Sequence, residues 1–360
     1  MQPVTDRTAL EQAAGFELGG TPVSAKAFGS GHINDTFALT VAKPASDAAV
    51  RFVLQRVNPR VFPNPAGVMD NIVRVTRHLR EKYAILPDSS RRVMTVVPAK
   101  DARPYHLDAE GACWRCYRMI EGAHTIDAVQ TLEQARTAAF AFARFARDLS
   151  DLPPPRLHET IPGFHDTPAR FRTLEKLAEE DPFRRAASAG RELAELRAMK
   201  HLAPLITDAA ASGAIPERIT HNDTKINNVM LDDATGEGVC IVDLDTVMPG
   251  YALYDFGDLV RVAANPARED AGIPGGFTAR RDMYQASAEG FEEGFGGYLT
   301  EQELKLMPMA GAVITFELAV RFLSDYLDGD RYFKTARPGH NLDRACTQIA
   351  LARSLEKLAS

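Results

Sequence analysis

Acidic and amide side chains near the middle of the chain have a spacing suited to phosphoryl transfer. His221, Asp223 and Asn228 stand in an H-x-D-x-x-x-x-N arrangement. An apolar run that begins at Val239 ends at Asp243. In phosphoryl transfer an aspartate in such a loop meets the acceptor hydroxyl, while an asparagine and a second aspartate bind magnesium. We therefore predict Asp223 as the catalytic base, and Asn228 and Asp243 as metal ligands.

A further aspartate, Asp245, follows two residues after Asp243. We predict that it either binds a second metal ion or orients a neighbouring group. The structural alternative for the whole segment is turn chemistry followed by ordinary acidic residues at a strand end. Asn228 at the correct offset favours the chemical interpretation, because carboxylate and amide oxygens are the ligands of hard cations. The turn formers of 232–238 predict a loop, strand, turn and strand with an acidic end.

Composition limits the class of protein. The 360 residues carry a formal net charge of −6, and 45% of them are hydrophobic, which is typical of a globular chain of about two domains. No basic surface indicates nucleic acid as a partner. The most apolar stretch, 310–327, contains Glu317, Arg321 and Asp325, and the first residues lack the pattern of a signal peptide. We expect a cytoplasmic monomer without a membrane partner.

A glycine-rich segment near the N-terminus is a candidate nucleotide contact. Gly29, Ser30 and Gly31 are followed by the strand-like run 37–41, whereas a Walker A or Rossmann loop would open a helix. A glycine-rich turn between strands is the arrangement that protein kinases place over phosphates. We predict that these three residues contact the nucleotide; the alternative is a plain hairpin turn.

The next strand, 51–57, is where a protein kinase places the lysine that contacts the phosphates. This chain has Gln55 and Arg56 there instead. Successive strand residues point to opposite faces, so only one of them faces the nucleotide. Arg56 keeps the positive charge and is our predicted cofactor contact, whereas Gln55 stands where the alternation would put the lysine. The sequence leaves this choice open.

The remaining pattern predicts an α+β fold with two lobes, similar in plan to a protein kinase. The smaller lobe, 1–120, is a mixed sheet with a helix, and the larger lobe, 121–360, is mainly helical. At their junction the backbone from Met119 to Glu121 is expected to bind adenine. The predicted elements include strands at 93–97 and 112–120 and helices at 66–82, 131–149 and 191–211.

Two features downstream of the acidic loop have open alternatives. Asp255 or Asp258 is expected to brace the catalytic loop by accepting backbone hydrogen bonds, or else to cap a helix. Arg321 is expected to hydrogen-bond a polar substrate, or else to belong to an ion-paired solvent face with Glu317 and Asp325, since these residues lie four apart on one helix.

The motifs resemble those of a known group of enzymes. His221 to Asn228 together with Ile241 to Asp243 are similar to the aminoglycoside phosphotransferase and choline kinase superfamily. Longer strings resemble the N-acetylhexosamine 1-kinases, and the likeness runs from about Gly29 to Phe333. These strings are GSGHINDTF, FVLQRVNPRVFPNP, HNDTKINNVMLD, IVDLDTVMPG, YDFGDLVR and RFLSDYLDGDRYFK.

The resemblance implies that ATP binds between two lobes and that its γ-phosphate passes to the 1-hydroxyl of N-acetylglucosamine or N-acetylgalactosamine. It makes Asp223 the base on the anomeric hydroxyl, with Asn228 and Asp243 on Mg²⁺. It also implies that four residues line the sugar pocket, namely His32, Trp114, Arg321 and Tyr332.

Three other functions are compatible with parts of the sequence. A kinase of the same fold would act on glucosamine, an aminoglycoside, choline or homoserine. A nucleotide-binding regulator without turnover would account for the missing lysine. A metal-dependent hydrolase is disfavoured, because the sequence has no histidine, cysteine and carboxylate cluster with the spacing of zinc ligands.

Overall fold

The computed structural model describes residues 4–29, 33–44, 49–266 and 278–359. It confirms the predicted α+β class, with an N-terminal sheet followed by a mainly helical C-terminal part. The predicted division at residue 120 stays a prediction.

The N-terminal sheet is antiparallel throughout. Its strand order is β1-β2-β3-β6-β4, and β5 pairs with β6. The strand predicted over 93–97 is only two residues long in the structure. A short helix, α3 (Ser89–Arg92), comes directly before this segment, and only the last two residues of the segment pair with β6. The six strands are β1 (Thr21–Ala27), β2 (Asp35–Ala42), β3 (Ala49–Arg56), β4 (Val96–Val97), β5 (His106–Leu107) and β6 (Cys113–Arg118).

The two faces of this sheet bury different cores. Strand side chains alternate between faces. On one face Leu54, Trp114 and Cys116 pack in a small core that includes residues of α1 (Asp6–Ala13). On the other face Tyr117 joins the main core, so the sheet shares that core with the helical part. Adjacent residues of β6 therefore lie in different environments.

The helix α2 (Pro65–Lys82) links the sheet to the helical part. Asn64 caps its N-terminus, and proline at the first position suits a helix start. Asn71 donates hydrogen bonds to the backbone carbonyls of His158 (2.8 Å) and Val247 (3.0 Å) and is fully buried. Because these bonds satisfy buried carbonyls of the C-terminal part, α2 is fixed against it.

The C-terminal part combines helices with two small sheets. One sheet has the order β10-β9-β7 and the other pairs β11 with β8. Its strands are β7 (Ala123–His124), β8 (Arg218–Thr220), β9 (Val229–Asp232), β10 (Gly238–Ile241) and β11 (Met248–Gly250). Its helices are α4 (Leu132–Asp148), α5 (Thr167–Glu180), α6 (Gly190–Ala198), α7 (Leu205–Ala211), α8 (Ala252–Ala263), α9 (Arg281–Phe295), α10 (Glu301–Leu327) and α11 (His340–Ala359).

The single helix predicted over 191–211 was wrong. The chain forms α6, a 3₁₀ turn at Lys200–Leu202 and then α7, which begins directly after Pro204. Proline has no amide hydrogen to donate to the preceding turn, and its ring clashes with that turn. The helix is therefore interrupted before Pro204 and restarts after it.

The longest helix, α10, lies in the core. By length and composition alone it is apolar enough to cross a membrane. It packs against α8 and α11, and 72% of its most apolar window is buried inside the fold. Packing within the protein therefore accounts for its apolar composition.

Candidate active site

The loop that follows β8 is held by an aspartate of α8. Asp255 accepts hydrogen bonds from the backbone amides of His221 (2.9 Å) and Asn222 (2.7 Å). Asn222 has φ of +62°, a left-handed conformation that asparagine tolerates better than most residues. Of the two braces that the sequence offered, Asp255 makes these bonds, whereas Asp258 pairs with Arg261 at 2.7 Å.

His221 connects this loop to the segment that leads from β10 to Asp243. Its Nε2 donates to the backbone carbonyl of Val242 at 3.0 Å, which places the proton on that nitrogen. The ring is fully buried and packs edge-on against Phe142 at 5.2 Å between centroids. His221 therefore holds the loop in place from the protein interior.

Asp223 lies between a lysine and an asparagine of the same loop. Lys225 Nζ is 3.0 Å from its carboxylate, and Asn228 Nδ2 donates to its backbone carbonyl (2.8 Å) and to its carboxylate (3.2 Å). Burial alone would raise the pKa of Asp223, but the nearby Lys225 and His221 side chains and these hydrogen bonds lower it overall. Asp223 is therefore ionised at neutral pH. Lys225 was not among the predicted site residues, although it lies only two residues after Asp223.

Asp243 lies beside Asn228 at the end of β10. The amide of Val242 donates to the Asn228 carbonyl at 2.9 Å, which joins the two segments. Asp243 has φ of +59°, a conformation that is uncommon outside glycine and is often found at functional sites. The residue is exposed, yet the protein around it and the negative charges of Asp245 and Asp223 raise its pKa to about 7.

The oxygens of Asn228 and Asp243 fit a magnesium ion. The Asn228 amide nitrogen is used by Asp223, and in the described part of the chain neither the Asn228 amide oxygen nor the Asp243 carboxylate has a hydrogen-bond partner. Excess negative charge beside free oxygens suits a hard cation. No group of three or more His, Cys, Asp or Glu residues forms a metal cage within the described residues. Magnesium is usually held by one or two carboxylates together with substrate phosphates, so one carboxylate beside an amide oxygen fits this cation.

Asp245 does not belong to this ligand set. Arg115 Nη1 forms a buried ion pair with one carboxylate oxygen, and Asn34 Nδ2 donates to the other at 2.8 Å. Of the two predicted roles of Asp245, these contacts favour orienting a neighbouring group over binding a second metal ion. Arg115 and Asn34 were missed, since their approach to Asp245 depends on strand register and on tertiary packing.

The predicted phosphate contacts are only partly described. Gly29 has φ of +78°, which favours glycine, and no atom lies within 4 Å of the position that a Cβ would take. Ser30 and Gly31, and the predicted sugar contact His32, lie outside the described residues. Arg56 forms an ion pair with Asp35 at 2.7 Å.

At the predicted adenine contact, part of the backbone is already used. The Met119 amide donates to the carbonyl of Arg51 (3.1 Å), and the Glu121 carbonyl accepts from Arg91 Nε (3.0 Å). The Glu121 side chain pairs with Arg51. Within the described ranges, the Met119 carbonyl and the Glu121 amide keep free hydrogen-bonding capacity.

Two of the predicted sugar contacts lie together, and a third does not join them. The Arg321 guanidinium lies over the ring of Tyr332 (5.8 Å), and Tyr332 is 59% exposed. Trp114 is fully buried in the N-terminal core and donates from Nε1 to Asp108 at 2.8 Å. Trp114 therefore does not line a sugar pocket; the alternation along β6 points Arg115, not Trp114, toward the metal site.

Buried polar groups next to Arg321 lead from α10 toward the start of α8. Glu317, one turn earlier on α10, contacts His165 Nδ1 at 3.0 Å and accepts from the Thr167 hydroxyl at 2.6 Å. The His165 ring stacks on Tyr254 with 4.4 Å between centroids. Tyr254 immediately precedes Asp255, which accepts the hydrogen bonds of the loop. The stacking contact of His165 and the hydrogen bonds to the loop are therefore both made at the start of α8.

Fold and site together define a phosphotransferase of kinase-like architecture. The phosphotransferase enzyme family model matches residues 24–289. The chain therefore belongs to the phosphotransferase enzyme family.

Solved structures share the fold at low sequence identity. An aminoglycoside phosphotransferase from Alicyclobacillus acidocaldarius superposes with a TM-score of 0.60 at 15% identity, over 100% of this chain and 97% of that one. A spectinomycin phosphotransferase in complex with ADP and spectinomycin has a TM-score of 0.58 at 13% identity, over 99% and 100%. An aminoglycoside 2'-phosphotransferase in complex with GDP has a TM-score of 0.52 at 13% identity, over 92% and 93%.

Proposed function

We propose that the protein is an ATP- and Mg²⁺-dependent kinase that phosphorylates the 1-hydroxyl of N-acetylhexosamines. The observation that carries the phosphotransfer part is the ionised Asp223 held between Lys225 and Asn228, next to the free oxygens of Asp243. Family membership supports the reaction class. The resemblance of the longer sequence strings to the N-acetylhexosamine 1-kinases supports the acceptor.

In this proposal Asp223 orients the acceptor hydroxyl and accepts its proton as the oxygen attacks phosphorus. Its low pKa makes it a weak base, which suits a transition state in which positioning contributes more than early proton removal. Lys225 holds the carboxylate in place and adds positive charge where phosphate charge develops. Asn228 and Asp243 would hold the Mg²⁺ ion, which when bound supplies charge neutralisation to the phosphates.

ATP is the proposed phosphoryl donor. The similar structures with bound ADP and GDP are nucleotide complexes of the same fold. In this chain the Met119 carbonyl and the Glu121 amide offer one acceptor and one donor, which is what an adenine edge requires.

Arg321 is the proposed sugar contact. Its guanidinium lies 5.5 to 5.8 Å from the ring centroids of Phe164, Tyr332 and Phe333, and it has no hydrogen-bond acceptor in the described part of the chain. An arginine fixed by aromatic rings with free donors suits a planar carbonyl or a hydroxyl pair. The acetamido group of an N-acetylhexosamine provides such a carbonyl.

The charge near Arg321 favours a neutral acceptor over an aminoglycoside. Arg170 lies close enough that burial and the charge of Arg321 lower its pKa. The buried carboxylate of Glu317 contacts both Arg170 and His165. A polycationic acceptor would meet two arginines here, and like charges disfavour binding.

The test is an acceptor panel with ATP and Mg²⁺, read by ADP release. N-acetylglucosamine and N-acetylgalactosamine are expected to be turned over, and glucosamine, choline and an aminoglycoside much more slowly. Asp223→Asn should lower kcat by about 10² to 10⁴-fold while sugar binding persists. The exposed Asp208 on α7 provides a matched control, since Asp208→Asn should leave kcat unchanged.

Three results would overturn parts of the proposal separately. Turnover of Asp223→Asn close to that of the wild type would remove the assigned base. Preference for an aminoglycoside or choline would keep the phosphotransferase and replace the acceptor. Tight ATP binding with no turnover on any acceptor would favour the nucleotide-binding regulator.

A further inference from the structure

The phosphate-binding lysine of kinases has no counterpart on β3. Gln55 stands at the expected position, and Arg56 is engaged with Asp35. The register of the sheet shows which cation lies on the Gln55 face, because Gln55 lies directly opposite Arg115 of β6. Directly opposite residues of an antiparallel pair project to the same face. Arg115 therefore brings a permanent positive charge to the place that lacks the lysine.

Arg115 is held in a defined orientation. Its Nε donates to Gln55 Oε1 at 2.9 Å, and Gln55 Nε2 in turn donates to the Thr36 hydroxyl at 3.0 Å. The guanidinium then extends to Asp245, and the two paired side chains are 1% and 3% exposed. Gln55, the residue found in place of the kinase lysine, therefore accepts a hydrogen bond that orients Arg115.

The second oxygen of Asp245 connects the pair to Asn34, the residue before β2. Asn34 Nδ2 donates to it at 2.8 Å, and Asn34 Oδ1 accepts from the backbone amide of Asn58 at 3.0 Å. Asn34 directly precedes β2, close to Gly29 in sequence. A single carboxylate, two residues after Asp243, therefore contacts both Arg115 of β6 and Asn34 at the start of β2.

The charges around the site show what this pair contributes. Asp223, Asp243 and Asp245 place three carboxylates close together, against the two cations Lys225 and Arg115. Loss of Arg115 would leave Asp245 buried and uncompensated beside Asp243. A buried charge without its partner is strongly unfavourable, and the adjacent segments would shift to expose it.

We propose that Arg115 takes the place of the missing lysine as a positioning residue. Through Asp245 it fixes Asn34 and Asp243 in the arrangement that receives the Mg²⁺-bound triphosphate. This inference rests on the proposed nucleotide binding, and it assigns Gln55, Arg115, Asp245 and Asn34 to one connected unit.

The experiment combines nucleotide affinity with stability. Binding of Mg²⁺ and ATP is measured by calorimetry, and the melting temperature is measured without nucleotide, for Arg115→Gln, Arg115→Lys, Asp245→Asn and the double variant Arg115→Gln/Asp245→Asn. Arg115→Gln should weaken binding about tenfold or more, as loss of a supporting partner does. Arg115→Lys keeps the charge and should retain most of the affinity. Arg103→Gln, in an exposed ion pair with Asp101, is the matched control and should behave as wild type.

The double variant separates positioning from simple ion pairing. Removing both charges should restore the melting temperature toward that of the wild type while nucleotide affinity stays weak. Hydrogen exchange of 33–44 should be faster in Arg115→Gln, since Asn34 loses its fixed acceptor.

Either of two outcomes would overturn the inference. These are wild-type nucleotide affinity in Arg115→Gln, or recovery of both stability and affinity in the double variant. A wild-type protein that binds no ATP in the presence of Mg²⁺ would instead overturn the proposed function, and the inference with it.

Discussion

The ammonium group of Lys225 lies 3.0 Å from a carboxylate oxygen of Asp223, within a single turn of the loop. The contact keeps Asp223 ionised and fixes its orientation. In phosphoryl transfer such a charge also faces the negative charge that develops on the transferred group.

Lys225→Met should therefore lower kcat by about a hundredfold, comparable to removing one donor from a charge-stabilising site. Lys225→Arg should retain more activity because it keeps the charge. Steady-state kinetics with saturating ATP and acceptor measures the difference. Equal activity of Lys225→Met and the wild type would remove Lys225 from the mechanism.

Asp255 is predicted to set the shape of the catalytic loop. Its carboxylate accepts from the amides of His221 and Asn222, and Asp255→Asn leaves one buried amide without an acceptor. We expect the free energy of unfolding in urea to fall by about 1 to 3 kcal/mol and hydrogen exchange of 221–228 to accelerate. Asp208→Asn is the exposed control. Unchanged exchange in that segment would show that the loop holds its shape without Asp255.

Glu317 should give the protein an acid-sensitive contribution to stability. Burial alone would raise its pKa, but the charges of His165, Arg170 and Arg321 and the His165 hydrogen bond lower it overall. Since the pKa in the folded protein is below the unfolded value of 4.5, the stabilisation is present above that pH and is lost as the pH falls through the folded value.

Glu317→Gln is therefore expected to reduce the free energy of unfolding by about 3 kcal/mol at neutral pH, with a difference that shrinks below pH 4.5. Urea unfolding at several pH values measures it. The exposed Glu110→Gln should show no such dependence. A difference that is constant across the pH range would contradict the assigned ion pairs.

Arg321 is predicted to act on the acceptor and not on the nucleotide. Arg321→Gln should raise the KM for the sugar about tenfold, as loss of a charged hydrogen bond does, while ATP affinity is unchanged. Arg103 offers a control, because it also lies over an aromatic ring, that of Tyr105, at 5.3 Å. A parallel loss of ATP affinity would mean that Arg321 acts on the fold of the site.

The local part of the site could be predicted because it depends on spacing alone. Asp223, Asn228 and Asp243 follow from one loop and the end of one strand, and the structure brings them together. The helix predicted over 131–149 is present as α4, and it begins with a capping box at Thr131. These features need no knowledge of how distant segments meet.

The other site contacts could not be predicted, because they depend on which face of a strand packs against which neighbouring segment. Trp114 and Arg115 are adjacent in sequence, but they point to opposite faces of β6. The family resemblance implied the aromatic residue as a ligand contact, whereas the sheet register brings the arginine to Asp245. Asn34 likewise reaches Asp245 from 211 positions away in the chain, which no local pattern reveals.

The most direct test of the proposed function is proton-coupled phosphorus NMR of the product. Purified protein is incubated with ATP, Mg²⁺ and N-acetylglucosamine or N-acetylgalactosamine, with Asp223→Asn in parallel. A doublet from phosphate on the anomeric oxygen, formed by the wild type and absent with Asp223→Asn, is the predicted result. Phosphate at another hydroxyl, no phosphorylated sugar at all, or equal product from Asp223→Asn would contradict the assignment.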